Sequence, residues 1–245
     1  RTIYLYNSIL NITGPSVDKQ LPYHEILPSE AERSWFAYNG EIYDWQSSGD
    51  NFVNDTELFY DKIKRSEGSQ QLYDDDCRGF FSYLLASLTT SSRLDKVRFG
   101  VDLFGEKSLF YFLDSCYLVI SSTPTAIKEF LVASGHQSKT AIDKSSVAAY
   151  LFSRNLILNP GSFQSDIHLL DPGSNFIYEH SSKSLKRLST SLEKACLSSR
   201  EYIHQFTPHQ SILSNVSSAI NILSNKSVGS TFSGGLDSSS ITALL

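Results

Sequence analysis

Ala37-Tyr38-Asn39-Gly40-Glu41-Ile42-Tyr43 sets strand-forming and turn-forming residues side by side. Trp35–Tyr38 is rich in aromatic side chains and predicts a strand. Asn39-Gly40, read by itself, is the dipeptide of a tight hairpin turn. Working outward, further strands are predicted at Ile3–Ile12, Phe80–Leu85, Leu109–Leu113 and Tyr117–Ile120, where β-branched and aromatic residues collect. Phe104-Gly105 supplies another turn.

Helices interrupt this strand-like text. Asp55 can cap a helix whose apolar positions Leu58, Phe59 and Ile63 share one face. Thr123-Pro124 is a cap followed by proline at the first helical position; Ile127, Phe130 and Leu131 form its stripe and Gly135 ends it. Asp143 opens a helix carrying Val147, Tyr150 and Leu151. Strand text returns at Asn175–Tyr178, after a turn at Pro172-Gly173, and a stretch rich in Ser and Lys follows. Thr207-Pro208 then starts a long amphipathic helix with Ile212, Leu213, Val216, Ala219, Ile220 and Leu223 on one face. A short strand, Val228–Phe232, leads into Ser233-Gly234-Gly235-Leu236-Asp237-Ser238-Ser239 and a last helix. The layout is an α+β domain over residues 1–190, a linker at 191–206, and the first elements of an α/β domain at 207–245.

Bulk properties narrow the function. The 245 residues are 40% hydrophobic with a net charge of −5, and no basic block stands out, so nucleic acid is not an expected partner. No apolar run approaches the roughly 20 residues of a membrane span. Cys77, Cys116 and Cys196 are odd in number and form no CxxC pair, which argues against a disulfide framework or zinc ribbon and for a reducing compartment, the cytoplasm. The chain contains no Met, opens on Arg1 and closes on the apolar Ile241, Ala243, Leu244 and Leu245, so both ends read as those of a piece of a larger polypeptide.

Strand, glycine-rich loop and helix form an anion-binding geometry. Glycines let backbone N–H groups approach a phosphate, and the helix N-terminus adds partial positive charge. Ser233, Ser238 and Ser239 add hydroxyl donors, whereas Asp237 would act by capping or through a metal ion. A serine-rich turn is the plainer reading of such a loop taken alone.

The loop SGGLDSS resembles the PP-loop of ATP pyrophosphatases, which cleave ATP between the α and β phosphates. Upstream, Asn39-Gly40-Glu41-Ile42-Tyr43 is similar to the NGEIYN segment of class II glutamine amidotransferases. Asn54-Asp55-Thr56-Glu57 resembles their (S/N)DTE segment. Phe99–Leu109 resembles their R-D-x-x-G-x-x-P-L-Y-Y segment, and Ser121-Ser122 leading into a helix fits their next element. In this order the motifs resemble the glutamine-hydrolysing asparagine synthetase family, in particular the branch of asparagine synthetase domain-containing proteins. Other PP-loop ligases, such as argininosuccinate or NAD synthetase, would not need the upstream motifs.

The resemblance implies a partial Ntn-hydrolase-type αββα amidotransferase domain followed by the start of a PP-loop domain. It implies an oxyanion hole from the Asn39 side chain and the Gly40 N–H, with Glu41 and Asp55 on the α-amino group of glutamine. It assigns Ser233, Gly234, Gly235, Leu236, Asp237, Ser238 and Ser239 to the pyrophosphate end of ATP, with Mg²⁺ bound by ligands left unknown. The small-molecule partners would be glutamine, aspartate and ATP, and the reaction the ATP-dependent amidation of aspartate to asparagine.

Departures from the family pattern accompany this. The family nucleophile is an N-terminal cysteine; Arg1 is not one, and the three cysteines lie in other segments. Val101 stands where the family has arginine, Ser108 where it has proline, and a residue near Ile9 where it has the arginine for the glutamine carboxylate. The chain by itself is therefore expected to be inactive. The alternative is a catalytically silent homologue with a binding or regulatory role.

Overall fold

The computed structural model describes residues 23–26, 33–43, 45, 52, 54–66, 79–89, 91, 93–153, 161–188, 208–221 and 229–245. The predicted strand Ile3–Ile12, the linker at 191–206, and Ile9, Cys77, Cys196 and Leu223 lie outside the described residues. The chain divides into two units, Arg1–Glu193 and Lys194–Leu245.

The first unit is built on two antiparallel sheets. Strands β1 (Tyr23–Ile26), β2 (Arg33–Ile42), β3 (Gly79–Leu88), β4 (Leu94–Val101), β8 (Asn175–Glu179) and β9 (Ser184–Arg187) pair in that spatial order. Strands β5 (Phe110–Leu113), β6 (Leu118–Ser121) and β7 (His168–Leu169) form a second sheet with β5 in the centre.

Strand alternation sorts the side chains into layers. On β3, Phe81, Tyr83 and Leu85 face helix α1 (Asp55–Arg65) and join Leu58, Phe59 and Ile63 in one buried cluster. Phe59 is its centre, with ring centroids 4.4 Å from Phe81 and 5.5 Å from Tyr83. On the other face, Ala86 of β3 and Val97, Phe99 and Val101 of β4 meet Tyr111, Leu113, Leu118 and Ile120 of the second sheet. The far side of that sheet offers Phe112, which packs with Ile127 and Leu131 of helix α2 (Pro124–Ala133). The sequence of layers is helix, sheet, sheet, helix, so the α+β class and the αββα arrangement both hold. Helix α3 (Lys144–Ser153) starts where Asp143 accepts hydrogen bonds from the Ser145 and Ser146 N–H groups, but its Tyr150 and Leu151 are exposed.

Asn39-Gly40 is not a turn. Both residues lie inside β2, Asn39 opposite Ser82 and Gly40 opposite Phe81. The Phe81 backbone is committed elsewhere: its N–H donates to Asp102 Oδ2 at 3.1 Å, and its carbonyl accepts the Asp102 N–H at 2.8 Å. Gly40–Phe81 is therefore a non-hydrogen-bonded pair, the closer-spaced kind in an antiparallel ladder. A Cβ at Gly40 would lie 2.7 Å from the Phe81 Cβ and collide with the Phe80 carbonyl oxygen. Glycine is there for close approach between strands, and long-range pairing overrides the local turn signal.

Strand β4 was not predicted, because Asp95, Lys96 and Arg98 break its apolar run. Arg98 is nevertheless 2% exposed. Its Nη1 donates to the Ile63 carbonyl at 3.4 Å, near the C-terminus of α1, while its Nε and Nη2 have no hydrogen-bond partner. The short strands β1, β7 and β9 also go beyond the sequence reading.

The second unit contains helices α4 (Pro208–Asn221) and α5 (Leu236–Leu244). The strand predicted at Val228–Phe232 is absent from its described part: residues 229–233 are irregular. A strand satisfies its backbone groups only against a neighbour, and no described strand pairs within this unit. Helix α5 buries none of its residues. No helix among the described residues is long and apolar enough to cross a membrane.

Candidate functional site

The site grows from the pairing geometry of β2. Because the Gly40–Phe81 pair exchanges no hydrogen bonds, the Gly40 N–H points away from β3. It faces the edge of β2 that β1, which pairs only as far as Phe36, leaves uncovered among the described residues. The Ile42 N–H, at the same parity, points the same way and donates to Asp55 Oδ2 at 3.1 Å. The Tyr38 hydroxyl donates to the same oxygen at 3.1 Å. Gly40, Ile42 and Asp55 thus meet along one strand edge, at the first turn of α1.

Asn54, not Asp55, caps α1: its Oδ1 accepts the Glu57 N–H at 2.9 Å. Asp55 is released from that job and turned inward, 5% exposed. Burial raises its pKa above the ordinary carboxylate value, and the nearby Glu41 charge adds to this. The hydrogen bonds from Ile42, Tyr38 and Thr56 act in the opposite direction. Removing a raised-pKa carboxylate from water costs free energy that an approaching cation would offset. Asp55 on the first turn of α1 and Glu41 on β2 thus place two carboxylates near enough for one charge to act on the other.

Asn39 and Glu41 alternate with Tyr38, Gly40 and Ile42, so their side chains leave the sheet on the face away from α1. Asn39 is exposed and Glu41 half-buried. The structure therefore gathers the Gly40 N–H, Glu41 and Asp55 at one end of β2, with the Asn39 side chain on the adjoining open face.

Asp102, which reads locally as a turn residue, has a larger role. It is 1% exposed. Its Oδ1 accepts the N–H groups of Phe104 and Glu106, and its Oδ2 those of Phe81 and Lys107. One carboxylate thus ties the loop after β4 to β3, directly behind Gly40. That loop brings the Lys107 Nζ 5.1 Å from the Phe80 ring centroid. Phe80 in turn meets Tyr43 edge-on at 5.9 Å. Burial raises the Tyr43 pKa, with Glu41, Glu106 and Asp102 adding to it. The D-x-x-G wording around Asp102 was the available signal; that four N–H groups converge on it depends on the fold.

The remaining candidates fall elsewhere. Val101 is buried in the core between the two sheets. Cys116 is exposed on the hairpin between β5 and β6, in the second sheet rather than along β2.

In the second unit, Ser233–Gly235 form a loop running into α5, whose first turn carries Leu236, Asp237, Ser238 and Ser239. Gly234 has φ +80°, Gly235 caps the helix without a side-chain hydrogen bond, and open space surrounds the Cβ position of Gly234. Ser233 Oγ lies 3.0 Å from Ser238 Oγ, and the Ser239 hydroxyl donates to the Gly235 carbonyl at 2.7 Å. The first N–H groups of α5 therefore border open space beside Gly234. Among the described residues no group of three or more His, Cys, Asp or Glu side chains could hold a metal ion.

Residues 17–189 match the model of a glutamine amidotransferase domain, and the chain belongs to that family. Within it the likeness runs to asparagine synthetases: the chain is 26% identical, over an alignment of 239 residues covering 89% of this chain and 33% of the relative, to asparagine synthetase [glutamine-hydrolyzing] 1 of Bacillus subtilis (strain 168). Among solved structures it is similar to the glutamine phosphoribosylpyrophosphate amidotransferase of B. subtilis complexed with ADP and GMP, with a TM-score of 0.38 and 17% identity over 69% of this chain and 32% of that one. A second structure, titled as the allosteric regulatory enzyme of purine biosynthesis, gives a TM-score of 0.40 and 16% identity over 71% of this chain and 32% of that one. The chain spans about a third of the length of each of these proteins.

Proposed function

We propose that the first unit binds glutamine as the amido donor and that the protein carrying it makes asparagine from aspartate, glutamine and ATP. The observation that carries this reading is the Asp55 carboxylate, buried at the end of β2 with one oxygen fixed by Ile42 and Tyr38 and with Glu41 beside it. That pair would take the substrate's α-ammonium. The Gly40 N–H along the same edge, with the Asn39 amide, would face the oxyanion of glutamine hydrolysis.

ATP would lie at the second unit. The N–H groups of Leu236, Asp237 and Ser238 and the hydroxyls of Ser233 and Ser238 would hold its pyrophosphate end, and Mg²⁺ would neutralise charge there. Bound ATP supplies the activation of a carboxylate for amidation. This assignment rests on the SGGLDSS resemblance and on the open glycine-lined loop.

Two observations favour a second reading, a catalytically silent homologue: Val101 is committed to core packing where the family carries arginine, and Cys116 sits on the second sheet.

Calorimetric titration of L-glutamine into the chain tests the shared part. Binding is expected, and Asp55→Asn should weaken it about tenfold or more, as loss of a charge-assisted contact does. Absence of binding, or an indifferent Asp55→Asn variant, sinks the reading. Aspartate-stimulated release of pyrophosphate from ATP by the intact protein then decides between the synthetase and the silent homologue.

A further inference from the structure

Tyr38 packs through its ring and bonds through its hydroxyl, and the two roles can be separated. The ring is wedged among aromatic neighbours, 6.2 Å from Phe36 and 5.4 Å from Phe59 between centroids. Phenylalanine would fill that space equally well. The hydroxyl is an addition to the packing: it reaches Asp55 Oδ2 at 3.1 Å in a buried contact. The Ile42 N–H reaches the same oxygen at 3.1 Å. Two donors on Oδ2 use that atom's two lone pairs; the Thr56 N–H also bonds the carboxylate, so the capacity that remains for an ammonium lies on Oδ1.

We propose that Tyr38 is a positioning residue of the glutamine site: its hydroxyl fixes the orientation of the Asp55 carboxylate so that Oδ1 is presented to the substrate's α-ammonium. This deepens the glutamine-binding reading above and rests on it. The wedged ring holds the hydroxyl in place, and the strand edge holds the Ile42 N–H, so the carboxylate is oriented before substrate arrives. Such pre-organisation reduces the ordering cost of binding. The bond also favours the ionised carboxylate, against the burial and the Glu41 charge that disfavour it.

The sign of the pH effect follows. An ammonium is held by ionised Asp55, so affinity falls as pH drops through the Asp55 pKa. The Tyr38 bond lowers that pKa; without it the pKa rises, and the acid limb of binding moves to higher pH. Among the described residues, the ionisable side chains that act on Asp55 are Tyr38 and Glu41 of β2, with Glu57 on the same first turn of α1.

The experiment measures L-glutamine affinity against pH in the full chain, for the wild type, Tyr38→Phe and Tyr60→Phe. Tyr60 is a matched control, because its hydroxyl makes a buried 2.6 Å bond to Ser34 Oγ in the same cluster and it is not among the groups that shift the Asp55 pKa. In Tyr38→Phe the acid limb should move to higher pH, with affinity about tenfold lower on the wild-type limb, the usual loss for a bond to a charged acceptor. Tyr60→Phe should leave the limb in place. Carbon-detected NMR titration of the Asp55 carboxyl in the ligand-free chain should show the same upward move in Tyr38→Phe. A Tyr38→Phe variant whose affinity falls equally at every pH, or a Tyr60→Phe variant that moves the limb too, overturns the positioning role while leaving glutamine binding intact. A wild type that binds no glutamine removes the site and this role together.

Discussion

The two units hold their candidate sites in opposite ways. In the first, the polar groups of the site are anchored from inside the core: Asp55 and Asp102 are both buried, and each accepts backbone N–H groups from elements distant in sequence. In the second, the segment Ser233–Ser239, a short loop and the first turn of α5, is held by hydroxyls reaching neighbours two to five residues away, and no residue of α5 is buried. A site anchored by long-range bonds depends on the whole layer structure, and a change far from the ligand can dismantle it. A site anchored locally keeps its shape through its own residues and answers only to changes within them.

Replacing Asp102 with alanine is the strongest way to break the first arrangement. The change strands the N–H groups of Phe81, Phe104, Glu106 and Lys107. A stranded buried donor costs about 1–3 kcal/mol; the Phe81 N–H is buried and the other three lie in a part-buried loop open to water, so the loss should be on the order of 3 kcal/mol. Urea unfolding followed by tryptophan fluorescence should show a large drop in midpoint, with glutamine binding lost alongside. A drop below about 1 kcal/mol would mean that the site is not held from the core.

The same contrast explains what the sequence shows by itself. Strands β3, β5, β6 and β8 are legible because aromatic and β-branched residues collect in them. Helices α1 to α3 are legible from their apolar spacing and from Asp55, Pro124 and Asp143 near their starts, although Asn54 rather than Asp55 caps α1. Local signals fail where distant pairing decides. Asn39-Gly40 has the wording of a turn, yet Phe81 and Asp102 draw it into a ladder. Strand β4 hides behind Lys96 and Arg98, and the predicted Val228–Phe232 strand finds no neighbour. The site divides similarly: Gly40, Glu41 and Asp55 stand out through wording that resembles a family. The Tyr38 hydroxyl does not, since its partner lies 17 residues away on a helix whose docking no local pattern reveals.

Arg98 sharpens the comparison from within the first unit. Its guanidinium is buried and makes one long bond to the Ile63 carbonyl, with Nε and Nη2 unpartnered. Burial here works against stability, because desolvation outweighs what one carbonyl near a helix C-terminus returns. Arg98→Met keeps much of the aliphatic volume and removes the charge, so it should stabilise the unit by about 1–3 kcal/mol. A higher urea midpoint with unchanged glutamine affinity is expected. A marked loss of stability would show that the guanidinium is paired after all.

The smallest effect is expected in the second unit, and its smallness is the point. Phe232 is a large apolar side chain directly before the glycine loop, yet 66% exposed. Removing an exposed ring forfeits little burial, and changes away from buried contacts usually stay within about 0.5 kcal/mol. Phe232→Ser should therefore leave the unfolding transition where it is. Nucleotide binding by the chain, followed with a fluorescent ATP analogue, should also hold, because the hydroxyl and N–H groups of the loop come from Ser233 onward. If the variant instead unfolds at clearly lower urea, Phe232 is buried against something in solution, and the second unit is anchored through its apolar residues as the first one is.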